Sequence, residues 1–90
     1  MALMEKISSI QDLGILVRRK RIQKDWTLRQ ASEATGTSVT ALSLLENGIN
    51  LPGPDRLKKI CETFSIGFPA ALEVLRKLKN DRLNNRLKAI

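Results

Sequence analysis

Residues 27–48 read TLRQASEATGTSVTALSLLENG, and the spacing inside this stretch decides the fold. Thr27 with Gln30 three residues later makes an S/T-x-x-E/Q box, in which each side chain satisfies a backbone N–H left open at a helix start. Trp26, just ahead of the cap, is expected to staple that start and to join the core. Gly36 stops the helix early, because glycine accepts the left-handed conformation of a C-terminal cap. Ser38 caps a second short helix, which Asn47-Gly48 closes. Val39, Leu42 and Leu45, with Glu46 as the alternative to Leu45, mark its inner face. Ser32, four residues before Gly36, supplies a small side chain where the two helices must cross closely.

Outward from this stretch the pattern stays helical. Toward the N-terminus, Ser8 or Ser9 caps a first helix with Gln11 and Asp12 in its opening turn, where a carboxylate complements the dipole. Ile10, Leu13, Leu16 and Val17 recur at helical spacing, and the helix should end near Lys24–Asp25. Residues 1–8 read as a loose arm. Toward the C-terminus, Asn50-Leu51-Pro52-Gly53-Pro54 is a loop, and Pro54 suits the first position of a fourth helix. Leu57, Ile60, Cys61 and Phe64 form the apolar face of that helix, and Ser65-Ile66-Gly67 breaks it. Pro69 opens a last helix that runs toward the C-terminus. The fold class expected is all-α with five helices, without strand pattern or repeat. The organisation expected is an arm over 1–8, a domain over 9–67 and a C-terminal helix over 68–90.

Composition narrows the chemistry. Sixteen Lys and Arg against nine Asp and Glu leave a formal charge of +7 on 90 residues, without histidine. Such a balance favours a polyanionic partner, nucleic acid before an acidic membrane surface. Only Trp26, Phe64 and Phe68 are aromatic, too few for the base stacking of single-strand and RNA binders, which points to duplex DNA. With Cys61 as the sole cysteine and no His, neither a zinc cluster nor a Cys-His or Ser-His nucleophile can be assembled. No enzyme activity, metal or cofactor is expected. No apolar run is long enough for a bilayer and no signal peptide is apparent, so a reducing cytoplasm is the expected compartment.

The full set of residues resembles the Cro/phage-repressor helix-turn-helix family, also called the XRE family. It is carried by Leu13-Gly14, Val17-Arg18, Arg21, Trp26 through Gly36, Ser38, Leu42, Leu45-Glu46-Asn47-Gly48, Pro54, Leu57, Ile60 and Phe64. Ala31 stands where the family usually has Leu, and Ser32 where it usually has Ala, so a thinner core is expected. The last helix is longer than usual. The resemblance implies an internal ion pair between Arg21 and Glu46, joining the first helix to the end of the third. It implies that Val39, Thr40 and Leu44 face base edges in the major groove, with Ser43 flanking. Burial in a partner interface is the alternative for Leu44. It also implies phosphate contacts from backbone near Thr27 and Leu28 and from Asn47, while Arg18, Arg21 and Arg29 join by charge and placement. Lys58 and Lys59 read as a solvated charge pair.

Phe68, Leu72, Leu75 and Leu78 fall on one side of the last helix, the earlier of them placed to cap the core, and Leu83, Leu87 and Ile90 follow at coiled-coil spacing, interrupted by Lys79, Arg82 and Arg86. Leu75, Leu78, Leu83, Leu87 and Ile90 are the expected homodimer residues. A basic DNA-touching tail and a disordered end are the alternatives. The function expected is a sequence-specific double-stranded DNA-binding regulator, a repressor by family habit, reading an inverted repeat as a homodimer. The rivals are an antitoxin that also binds a toxin partner, and a protein-interaction module without DNA affinity.

Overall fold

Ser9 opens the first helix by accepting a hydrogen bond from the Asp12 N–H at 3.1 Å. Asp12 reaches back, its Oδ2 accepting from the Ser8 N–H at 3.1 Å and the Ser8 hydroxyl at 2.9 Å. These hydrogen bonds, the Ser8 backbone bond foremost, hold the Asp12 carboxyl below its ordinary range. The computed structural model describes residues 7–88, with side chains through residue 80. Residues 1–6 of the expected arm lie outside the described residues, whereas Ile7 packs on the core and Ser8 is tied to Asp12.

Five helices follow in order: α1 Ile10–Gln23, α2 Leu28–Thr35, α3 Val39–Glu46, α4 Pro54–Phe64 and α5 Phe68–Lys88. Among the described residues there is no strand, as the periodicity predicts. The capping box forms in full: the Thr27 N–H donates to Gln30 Oε1 at 2.8 Å, and the Gln30 N–H donates to Thr27 Oγ1 at 3.1 Å. Gly36 closes α2 with φ 68, a left-handed value that a β-carbon disfavours. Ser38 caps α3 by accepting from the Ala41 N–H at 3.1 Å.

Leu13, Val17, Leu42, Leu45, Leu57, Ile60 and Phe64 form the centre of the core. Trp26 closes its edge, meeting the Phe64 ring edge-on at 5.9 Å between centroids. Lys24 Nζ lies over the same Trp26 ring, 5.1 Å from its centroid. Ala31 is completely buried, so the position where the family usually carries Leu still faces inward with less volume. Thr35 and Thr37 are buried beside it; Thr35 Oγ1 donates to the Ala31 carbonyl at 2.7 Å, while Thr37 Oγ1 has no hydrogen-bond partner.

The first half of the last helix caps the core, as its spacing allows. Ala71, Val74 and Leu75 are buried, and Phe68, Leu72 and Leu78 are half-buried against the same cluster. The packed unit thus continues past Gly67. Leu75, expected on a seam between chains, is only 7% exposed and is used inside the subunit instead. Leu78 also rests partly on the core. Leu83 and Leu87 lie in the part of α5 whose side chains are outside the described residues, as does Ile90 entirely.

Candidate nucleic-acid interface

α3 has two faces of different character. Leu42, Leu45 and Glu46 are buried, and they fasten the helix to the domain. Val39 and Thr40 are exposed, and Ser43 and Leu44 are half-exposed. Positions 39, 40, 43, 44 and 47 share one side at 100° per residue, so this side is the one presented outward. Val39 is 42% exposed and belongs to this outer face, not to the inner face its spacing also allowed. At the first turn of a short helix, periodicity alone leaves both assignments open.

The inner face is held by an ion pair. Arg21 Nε donates to Glu46 Oε2 at 2.7 Å and Nη2 donates to Oε1 at 3.0 Å, a bidentate fork. Arg21 Nη1 donates to the Trp26 carbonyl at 2.8 Å. One guanidinium therefore joins α1, the segment before α2 and the end of α3. Hydrogen bonding to Glu46 raises the Arg21 pKa further, outweighing the desolvation that opposes its charge. All three nitrogens of Arg21 donate inside the domain, so a phosphate contact from Arg21 has only the two remaining N–H groups to draw on. Charge and position along the chain do not reveal that commitment.

Gly14 is the second fastening point, and sequence reasoning gave it no role. A β-carbon there would overlap the Leu45 carbonyl oxygen and press on that of Glu46. α1 thus approaches the C-terminal turn of α3 at backbone distance, beside the ion pair.

The other expected contact residues are placed as follows. Arg18 is exposed on α1 and, with Arg19, Ile15, Ile22, Gln23 and Glu46, lines an open groove of about 440 Å³. Arg29 is exposed at the second position of α2. The Thr27 N–H is taken by Gln30, and the first-turn N–H groups of Leu28 and Arg29 have no partner within the helix. The Leu28 side chain packs on the core. The Asn47 amide donates to the Ser43 carbonyl at 2.8 Å and lies 3.5 Å from Ser43 Oγ, so its donor is turned onto its own helix. Ile49 is 66% exposed just beyond α3, with its N–H donating to the Leu44 carbonyl at 2.8 Å. It escaped the sequence reading because a loop residue carries no periodicity.

The described residues contain no cluster of His, Cys, Asp or Glu arranged to hold a metal ion. None of the described helices is long and apolar enough to cross a membrane. Cys61 is buried in α4, and burial, with Glu62 nearby, pushes its thiol up to about 11.

Among solved structures, the chain is similar to the clp gene regulator ClgR from Corynebacterium glutamicum, with a TM-score of 0.59 and 25% identity. The likeness covers 89% of this chain and 86% of that one. No curated protein sequence matches the chain. The helix-turn-helix family profile matches residues 17–69, from the middle of α1 to the start of α5. An exposed helix anchored by an Arg–Glu fork, a glycine-turned connection to the helix before it, and this match agree: the chain belongs to the Cro/C1-type helix-turn-helix family of DNA-binding transcriptional regulators.

Proposed function

We propose that this chain is a sequence-specific repressor that inserts α3 into the major groove of double-stranded DNA and occupies an inverted-repeat operator as a homodimer in the cytoplasm. The outward set Val39, Thr40, Ser43 and Leu44 on a rigidly anchored helix carries this reading. These four side chains meet base edges. Arg18, Arg29 and the N–H groups of Leu28 and Arg29 meet phosphates, where a helix N-terminus favours an anion. Asn47 can add a phosphate contact once its amide swings away from Ser43.

A dimer follows from size. One such module has few base contacts, and two on a twofold axis read half-sites separated by about 10 base pairs or a multiple of it. The natural dimer element is the distal part of α5. The helix runs on from residue 79 to Lys88, about 15 Å of further length at 1.5 Å per residue. Leu83, Leu87 and Ile90 are its candidate residues, and Leu78 is shared between core and seam.

Selection of bound duplexes from a random pool, followed by affinity measurements across a salt series, tests this function. Log affinity should fall linearly with log salt, with a slope of about 0.9 per phosphate contact. Arg18→Ala should lower that slope by about one contact without changing the preferred motif. A chain that sediments as a monomer both free and on its selected site would refute the dimer.

A further inference from the structure

We infer that the α3 face discriminates bases through the C5-methyl groups of pyrimidines, so that it accepts thymine and 5-methylcytosine and disfavours cytosine and uracil at the same positions. This rests on α3 being the reading helix. Base edges in the major groove offer hydrogen-bond donors and acceptors and one apolar feature, the C5-methyl group. Bidentate reading of guanine takes Arg or Lys, and that of adenine takes an amide with both oxygen and nitrogen available.

The outward side of α3 has no Arg or Lys, and its one amide, Asn47, is turned onto its own helix. Val39, Thr40, Ser43 and Leu44 bring five methyl groups and two hydroxyls, and no formal charge. The amides nearby are already engaged. Asn47 Nδ2 donates to the Ser43 carbonyl at 2.8 Å, and Gln30 Oε1 accepts from the Thr27 N–H at 2.8 Å. Each amide is thus held in place by a hydrogen bond inside the domain, which uses one of its donor or acceptor sites and opposes its turning toward a base edge. The methyls, in contrast, are presented to solvent: Val39 at the tip of the helix is 42% exposed. An apolar group in a wet groove gains free energy by covering another apolar group, and a pyrimidine methyl is the one partner a duplex supplies there. The net positive charge of the chain favours approach to a duplex without adding base preference.

A biological corollary is response to DNA modification. Methylation of cytosine at C5 adds the feature this face seeks without changing base pairing, so such a site should gain affinity when methylated.

The test uses the full chain and a duplex selected from a random pool. Each thymine is replaced singly by uracil, and each cytosine singly by 5-methylcytosine, with affinity read by fluorescence anisotropy at fixed salt. At least one thymine in each half-site should lose about three- to fivefold on losing its methyl. Val39→Ala should abolish most of that difference at the position it touches while circular dichroism shows an unchanged fold. Tight binding that is indifferent to every methyl, or that instead depends on guanine N7 in 7-deazaguanine duplexes, overturns the inference and leaves the proposed function standing. No affinity for any duplex in dilute buffer overturns both.

Discussion

Glu46→Gln isolates what the Arg21 fork contributes. In the native chain the two side chains are 13% and 5% exposed, with donor–acceptor distances of 2.7 and 3.0 Å. Glutamine keeps the shape but replaces one acceptor oxygen with an amino group, which faces a guanidinium N–H. Arg21 stays charged, because an arginine does not give up its proton in this setting. The substitution therefore leaves a largely buried cation with one acceptor fewer and no counter-charge. Breaking one partner of a buried pair costs about 3–5 kcal/mol, and the residual exposure of Arg21 places this case near the lower end, about 3 kcal/mol. At about 4–8 °C per kcal/mol for a domain of this size, the melting temperature should fall by about 12–24 °C. Urea and thermal unfolding followed by far-ultraviolet circular dichroism measure both. The double change Arg21→Met with Glu46→Leu should recover part of the loss, since apolar residues of similar volume replace such a pair at little cost, while the Trp26 carbonyl loses its Arg21 donor. A loss below about 1 kcal/mol in Glu46→Gln would mean that the pair behaves as an exposed surface bridge, and the account of α3 anchoring would fail.

Three further outcomes follow from the core. Gly14→Ala should destabilise by about 1–3 kcal/mol in urea melts despite the higher helix propensity of alanine, because its β-carbon meets the Leu45 carbonyl; a more stable variant would refute the close approach. Thr37→Val should stabilise by about 1 kcal/mol, since it removes a buried hydroxyl without a partner, and a loss of that size would show that Oγ1 is satisfied. Cys61 should make stability fall with alkali: its thiol is raised from 9.0 to about 11 in the folded chain, so the unfolded chain ionises first. That contribution is whole below pH 9 and is lost between 9 and 11; urea midpoints of wild type and Cys61→Ala that decline in parallel across this window would contradict it.

What could be read from the sequence was local. The Thr27–Gln30 box, the Gly36 turn and the Ser38 cap depend on residues three or four apart, and all formed as their chemistry requires. The Arg21–Glu46 pair, 25 residues apart, was reachable through family resemblance, not spacing. The remainder depended on how helices meet. Whether Leu75 faced a partner or its own core depended on the angle of α5 against α1 and α4. That Arg21 and Asn47 have their donors engaged follows from tertiary and rotamer geometry. The role of Gly14 exists only because another backbone passes it.

The opposed faces of α3 carry an evolutionary consequence. The residues that keep this helix in place point away from those that would touch a target, so exchanges at Val39, Thr40 and Ser43 leave the anchoring untouched. Duplicated copies of such a gene are free to diverge in which promoters they address without first acquiring compensating changes elsewhere. Retargeting becomes a matter of a few surface codons, while a change at Gly14 or Glu46 strikes the anchoring itself.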